Sequence, residues 1–275
     1  MFATILVFAI SGCATTGSGS VPKSVALEFH GKPGELTETR YYSNAHIQSY
    51  EDGQLLRDRF EGVDFTVASK VTETLPTSHI LKFDVQTTSK DGTVELHDLA
   101  FPELGEKIDY VIRGNGEVLR AGSYAPESLF YVPALPIPKA PVEIGDTWTM
   151  EHTWVSSRDG IPLTLQVVGI LKNIVTCEKS GVCADLEING HVKLGAQPAN
   201  ASARFDSRIW GRVLFSLQRG DVIWSDMRSS EEMGIKNDKM AVRSCMVSEM
   251  KLGGDAKIQF ACDPNDEHVT PTPRY

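Results

Sequence analysis

Basic clusters, catalytic signatures and helical periodicity are all missing from this 275-residue chain. Lys and Arg number 27 against 36 Asp and Glu, a net charge of −9, and the cations nowhere form a block. Recognition of a phosphate backbone needs clustered cations, so no nucleic-acid partner is expected. There is no Gly-x-Ser-x-Gly elbow, His-Glu-x-x-His pair, P-loop or Rossmann glycine fingerprint. No two carboxylates stand out as a general acid and base, so no catalytic residue is assigned and no cofactor is expected. No stretch sustains a 3.6-residue apolar period between caps, which predicts little helix. Disorder is excluded as a description of the whole, because 41% of residues are apolar and 23% charged, an ordinary globular balance.

The longest uncharged apolar stretch near the start covers residues 2–11. Ten residues are too short to cross a hydrocarbon core of about 30 Å as a helix, but they suit the apolar core of a secretory signal. Directly after it stands Ile10-Ser11-Gly12-Cys13. This motif resembles the lipobox of bacterial lipoproteins, where an aliphatic residue and two small ones precede the cysteine that is lipidated. The resemblance implies cleavage before Cys13 by signal peptidase II, a lipid on Cys13, and membrane attachment through that lipid. Ala14, where an inner-membrane lipoprotein would carry Asp, implies the outer membrane of a bacterial envelope. Ala14-Thr15-Thr16-Gly17-Ser18-Gly19-Ser20 then reads as a flexible tether.

Cysteine is sparse, and its arithmetic agrees with export. Setting Cys13 aside leaves Cys177, Cys183, Cys245 and Cys262, an even number as expected under oxidising conditions. Cys177 and Cys183 bracket a turn sequence, so a cross-turn disulfide is expected; their spacing lacks the close thiolate pairs of a structural zinc site, and no metal is predicted. Cys245 and Cys262 lie symmetrically about Gly253-Gly254. A two-residue hairpin turn there would set them opposite each other at a close, non-hydrogen-bonded position, with Val247 facing Phe260 and Glu249 facing Ile258.

The body reads as all-β: antiparallel meanders in two tandem repeats, forming a sandwich or an incomplete barrel. Turn dipeptides punctuate it at Asp52-Gly53, Asp91-Gly92, Asn115-Gly116, Asp159-Gly160, Asn189-Gly190, Arg219-Gly220 and Gly253-Gly254. Residues 80–86 alternate, with Leu81, Phe83 and Val85 on one face, whereas residues 164–171 are apolar enough for burial on both faces. The first and second sets of turns have similar spacing, which suggests a duplication of about 105 residues. The chain thus divides into a signal peptide (1–12), a tether (13–24), a first repeat (25–132), a Pro-rich connector (133–141), a second repeat with a C-terminal hairpin (142–263) and a tail (264–275). Pro141-Val142-Glu143-Ile144-Gly145-Asp146-Thr147-Trp148 reads as a turn launching a strand, and resembles a motif of secreted bacterial β proteins.

Two groups invite a site. Trp148, Trp154, Trp210 and Trp224 all fall in the second repeat and are candidates to line a ligand cleft, against the commoner role of core tryptophan. His46 and His152 fall at similar points of the two repeats, where sheet-surface histidines are expected more often than a paired metal site. Asn200-Ala201-Ser202 matches a glycosylation sequon but reads as a loop. The expectation is a non-enzymatic envelope lipoprotein that binds an apolar ligand or an envelope protein. The rival is an envelope hydrolase whose active site is not local in sequence.

Overall fold

The computed structural model describes residues 22–156, 160–177, 179–195, 203–235, 238–252 and 262–269. The signal sequence, Cys13, the tether, the sequon and the Gly253-Gly254 turn lie outside them. Five long or medium strands come first after a short β1 (Ser24–Val25): β2 (Leu36–Glu51), β3 (Gln54–Leu75), β4 (Ile80–Gly92), β5 (Lys107–Arg113) and β6 (Val118–Ala121). After β7 (Val142–Glu143) come β8 (Thr147–Val155), β9 (Pro162–Cys177), β10 (Gly181–Leu194), β11 (Ala203–Ser216), β12 (Asp221–Ile235) and β13 (Asp238–Met250). The only helices among the described residues are 3-10 turns at Pro76–Ser78, Leu96–Leu99 and Leu129–Tyr131. The protein is all-β.

Eleven strands form one antiparallel sheet in the order β6-β5-β4-β3-β2-β13-β12-β11-β10-β9-β8, while β1 pairs with β7. The chain starts mid-sheet at β2, meanders out to β6, crosses to the opposite edge at β8 and meanders back until β13 pairs with β2. At about 4.8 Å per strand, a flat sheet of this order would hold its outer strands roughly 48 Å apart. Yet β6 and β8 both pack against the three-residue helix Leu129–Tyr131, and the Val155 amide donates to the Glu127 carbonyl. The sheet is therefore curled into an incomplete barrel, with a gap between β6 and β8.

The two meanders place corresponding turns at corresponding points: Asp52-Gly53 after β2, Gly160 after β8, Asn115-Gly116 after β5 and Arg219-Gly220 after β11. Asp52 and Gly53 both have positive φ (48° and 79°), the conformation of a two-residue hairpin turn. Asn189-Gly190 departs from expectation. It lies inside β10, paired on both sides, because a Cβ at Gly190 would stand 2.6 Å from the Gln166 carbonyl oxygen of β9. Glycine there permits close strand approach and not a turn.

The register assigns the faces. Leu171, Leu186, Val213, Phe215 and Phe65 point into the curl, and all five are almost fully buried. At the end carrying the β3–β4, β9–β10 and β11–β12 turns, the chain fills its own interior. Residues 28–35 run across this end: the Phe29 amide donates to Gly114, the His30 amide to Gly220 and the Gly34 amide to Val71. Phe29 meets Phe215 edge-on at 5.5 Å, and Leu27, Leu135 and Val142 complete that cluster. The Pro-rich connector is thus part of the core: Leu135 is buried, and the Pro136 carbonyl accepts from the Trp148 indole at 2.8 Å. Leu96 and Phe130 fill the side beneath β3 to β6.

The outer face is mostly polar, with cross-strand pairs such as Arg212 with Asp185 and Arg40 with Asp64. Burial of residues 164–171 on both faces is not what the fold builds, since Val168 points outward and is exposed. Both expected disulfides are present, Cys177–Cys183 and Cys245–Cys262. The second does not arise from a hairpin. Cys245 already faces Arg228 on β12 and Asn44 on β2, so β13 has no open edge for a strand carrying Cys262. Cys262 instead lies over the outer face. From it, residues 262–269 run as a strap: Arg228 donates to the carbonyls of Asp263 and Asp266, and the Trp210 indole donates to that of Glu267.

Candidate functional site

The opposite end of the barrel carries the β2–β3, β8–β9 and β12–β13 turns, and its interior is different. Here the inward positions are Leu163 on β9, Leu194 on β10, Phe205 on β11, Met233 on β12, and Met240 and Val242 on β13. None of these six belongs to the packed clusters formed by the described residues. Met240 and, on the β8–β9 turn, Ile161 are exposed; the others are half-buried. Together with Ser156 and Glu231 they surround a pocket of about 150 Å³. A cavity of that size in an apolar core accepts a benzene-sized molecule.

Sheet register sets the polar groups of this trough. Ser207 on β11 opposes Glu231 on β12, Glu231 opposes Val242 on β13, and Val242 opposes Ile47 on β2. The Glu231 carboxylate is held only by the Ser229 hydroxyl, at 3.5 Å, among the described residues. Burial raises its pKa above the ordinary glutamate value. The Ser207 hydroxyl is buried without a partner among the described residues, as is Nε2 of His152 on β8. Desolvation lowers the pKa of His152, favouring neutral imidazole. A hydrogen-bonding group left unpaired in an apolar setting costs about 1–3 kcal/mol, so these atoms favour a ligand that meets them.

Other polar clusters are internally satisfied. Glu106 accepts from the Tyr124 hydroxyl (2.8 Å) and lies 2.6 Å from His97 Nε2, pinning the loop before β5 to the loop after β6. These bonds lower the Glu106 pKa against an opposing push from burial. On the outer face a shallow depression of about 570 Å³ holds Glu151, Gln166 and His191, but Gln166 bonds both of the others. Among the described residues no group of three or more His, Cys, Asp or Glu is placed to hold a metal, and no helix is long and apolar enough to cross a membrane.

The four tryptophans do not converge on one cleft. Trp148 and Trp154 point inward from β8, whereas Trp210 and Trp224 point outward. Trp148 lies over Gly169 at the filled end, and Trp210 stacks under Arg208 at 4.8 Å beside the strap. Trp224 is buried with Leu214 and the Cys177–Cys183 disulfide. The period of two explains the split: even positions on β8 face in, while even positions on β11 and β12 face out. His46 and His152 are separated for the same reason, His46 facing out to Asp58 and Asn265. Glu231 and Ser207 were not singled out in the sequence. The only signal for Glu231 there is a polar residue among inward methionines, in Met227-Arg228-Ser229-Ser230-Glu231-Glu232-Met233, and Ser207 carries none.

Comparison with known proteins adds no functional constraint. No family model matches the chain, and no curated protein matches it. Among the solved structures that match is one described as "Asymmetric conductivity of engineered proteins", at 9% identity and a TM-score of 0.28, over 78% of this chain and 100% of that one. Likeness at that level carries no argument about fold or function.

Proposed function

We propose that this chain is a non-enzymatic lipoprotein of the bacterial envelope that holds an apolar ligand in the open end of its barrel. The observation that carries this reading is the contrast within one sheet face: apolar side chains packed by the chain's own segments at one end, half-exposed around a pocket at the other. Ligand sites are typically such concave, mostly apolar surfaces with a few placed polar groups. Two disulfides support folding in an oxidising compartment. The Ile10-Ser11-Gly12-Cys13 motif supports anchoring through a lipid on Cys13, with Ala14 favouring the outer membrane.

Mass spectrometry of molecules that copurify with the protein from its native membrane tests the binding role. Apolar small molecules should accompany the wild type and be depleted in Val242→Phe, which fills the pocket. An absence of such molecules, or equal amounts with both proteins, contradicts the reading. Palmitate-analogue labelling tests the anchor: it should mark the wild type and vanish in Cys13→Ala. A second reading, docking to an envelope protein, draws on the tip of the β2–β3 hairpin, where Leu55 and Leu56 are 51% and 61% exposed.

A further inference from the structure

The pocket at the open end is apolar around its mouth but acidic at its floor, and this bears on what a ligand must carry. Glu231 is the one ionisable side chain in its lining among the described residues. It has a single long contact to Ser229, and its cross-strand neighbour Ser207 is 3% exposed with an unpartnered hydroxyl. Ser229 is itself engaged with Ser244 at 2.8 Å, so it gives Glu231 little. Glu231 presents its carboxylate oxygens to the pocket, whereas Ser207 lies beside it on β11 outside the lining. No cation of the described chain answers them from the pocket wall. The inward-facing cations at this end, Arg57 and Arg59, sit on β3, three strands from β12 and so roughly 14 Å along the sheet. Both are exposed, and Arg59 is paired with Glu61 at 3.1 Å.

We infer that the pocket takes a primary alkylammonium group, its hydrocarbon against Leu163, Phe205, Met233 and Val242 and its ammonium donating to the Glu231 carboxylate. An ammonium has three donors and no acceptor, which matches a carboxylate held by one long contact in a lining that contains no cation among the described residues. A carboxylate ligand meets like charge there, and an alcohol leaves the charge of Glu231 uncompensated. The volume of about 150 Å³ sets the buried part at roughly six carbons, the size of benzene. This inference rests on the proposed apolar-ligand role and adds the polar group that the ligand carries.

Isothermal titration of the folded protein with hexylamine hydrochloride, 1-hexanol and sodium hexanoate at pH 7.5 tests it. Hexylammonium should bind at least tenfold more tightly than either of the others. In Glu231→Gln it should fall to the level of hexanol, while hexanol binding is unchanged, which also reports that the variant is folded. Val242→Phe should weaken all three. Equal binding of the three compounds overturns the ammonium assignment and leaves the apolar role standing. Tightest binding of hexanoate also overturns it, and points to Arg57 and Arg59 instead. Loss of hexanol together with hexylammonium in Glu231→Gln counts against it as well. Binding of none of them to the wild type overturns both the assignment and the apolar role.

Discussion

Phe205 and Phe215 stand on the same strand and face the same interior, ten residues apart, yet their surroundings are opposite. Phe215 is fully buried against Phe29, in a cluster with Leu27 and Leu135 supplied from outside the sheet. Phe205 is half-buried beside a pocket, and no described segment covers it. The sheet itself treats the two alike. What differs is that residues 22–35 and 133–146 pack into one end, whereas no packed cluster of the described residues includes the pocket-lining side chains of the other. That apolar face, left open by the described residues, is the basis of the proposed ligand site.

Truncation is the strongest way to break this comparison. Phe215→Ala should destabilise the protein by about 3–5 kcal/mol, the range for a buried aromatic whose site cannot collapse. Phe205→Ala should cost less, about 1–2 kcal/mol, because its ring is only partly buried and already borders a pocket. Urea unfolding of both variants measures the difference. Similar losses would mean that the open end is as tightly packed as the filled one.

The disulfides sharpen the comparison from the outer face. Removing Cys245–Cys262 by a double alanine change should cost about 3 kcal/mol, because it closes a separation of 17 residues. Removing Cys177–Cys183, with a separation of 6, should cost about 2 kcal/mol. Only the first should also release the strap, detected as quicker amide exchange at residues 263–268. The same exchange after loss of either bridge would show that the strap does not depend on Cys262.

A smaller effect of opposite sign is expected at Asp221, the first residue of β12 at the filled end. Its carboxyl is desolvated, which lifts its pKa from 3.8 to about 6, with a further push from Glu35. A pKa raised in the fold means that protonation favours the folded state. The stability from this group is fully present below about pH 3.8 and is lost as the pH rises through about 6. Asp221→Asn should therefore stabilise by about 1–2 kcal/mol at pH 7.5, and by less at pH 4.5. A gain that does not vary between these pH values would place the carboxyl in water.

The strands and their curl were legible because alternation and turn residues carry them. Leu81, Phe83 and Val85 face inward as their period of two requires, and Asp52-Gly53 makes the hairpin turn that its residues favour. Asn189-Gly190 misled because the same dipeptide serves close packing inside a strand. The Cys245–Cys262 pairing was right while its hairpin was wrong, since spacing in sequence does not reveal that β2 has taken the edge of β13. The site was nearly invisible. On β12 the inward positions are Ser225, Met227, Ser229, Glu231 and Met233, and the outward ones include buried Trp224, Asp226 and Arg228. Neither face reads as apolar, because the strap and the Cys177–Cys183 cluster bury the outer side and an open trough relaxes the demand on the inner one.

The methionines offer the most direct test of the central claim, because they sample both the open pocket and packed regions away from it. Met233 and Met240 line the open pocket, while Met250 is buried in the cluster of Trp224, Leu214 and the Cys177–Cys183 disulfide, far from the pocket. With ¹³C-methyl-labelled methionine, titration with 1-hexanol should shift the Met233 and Met240 resonances in a saturable way and leave Met250 in place. Unmoved Met233 and Met240, or a Met250 resonance that moves with them, would contradict a ligand site confined to the open end.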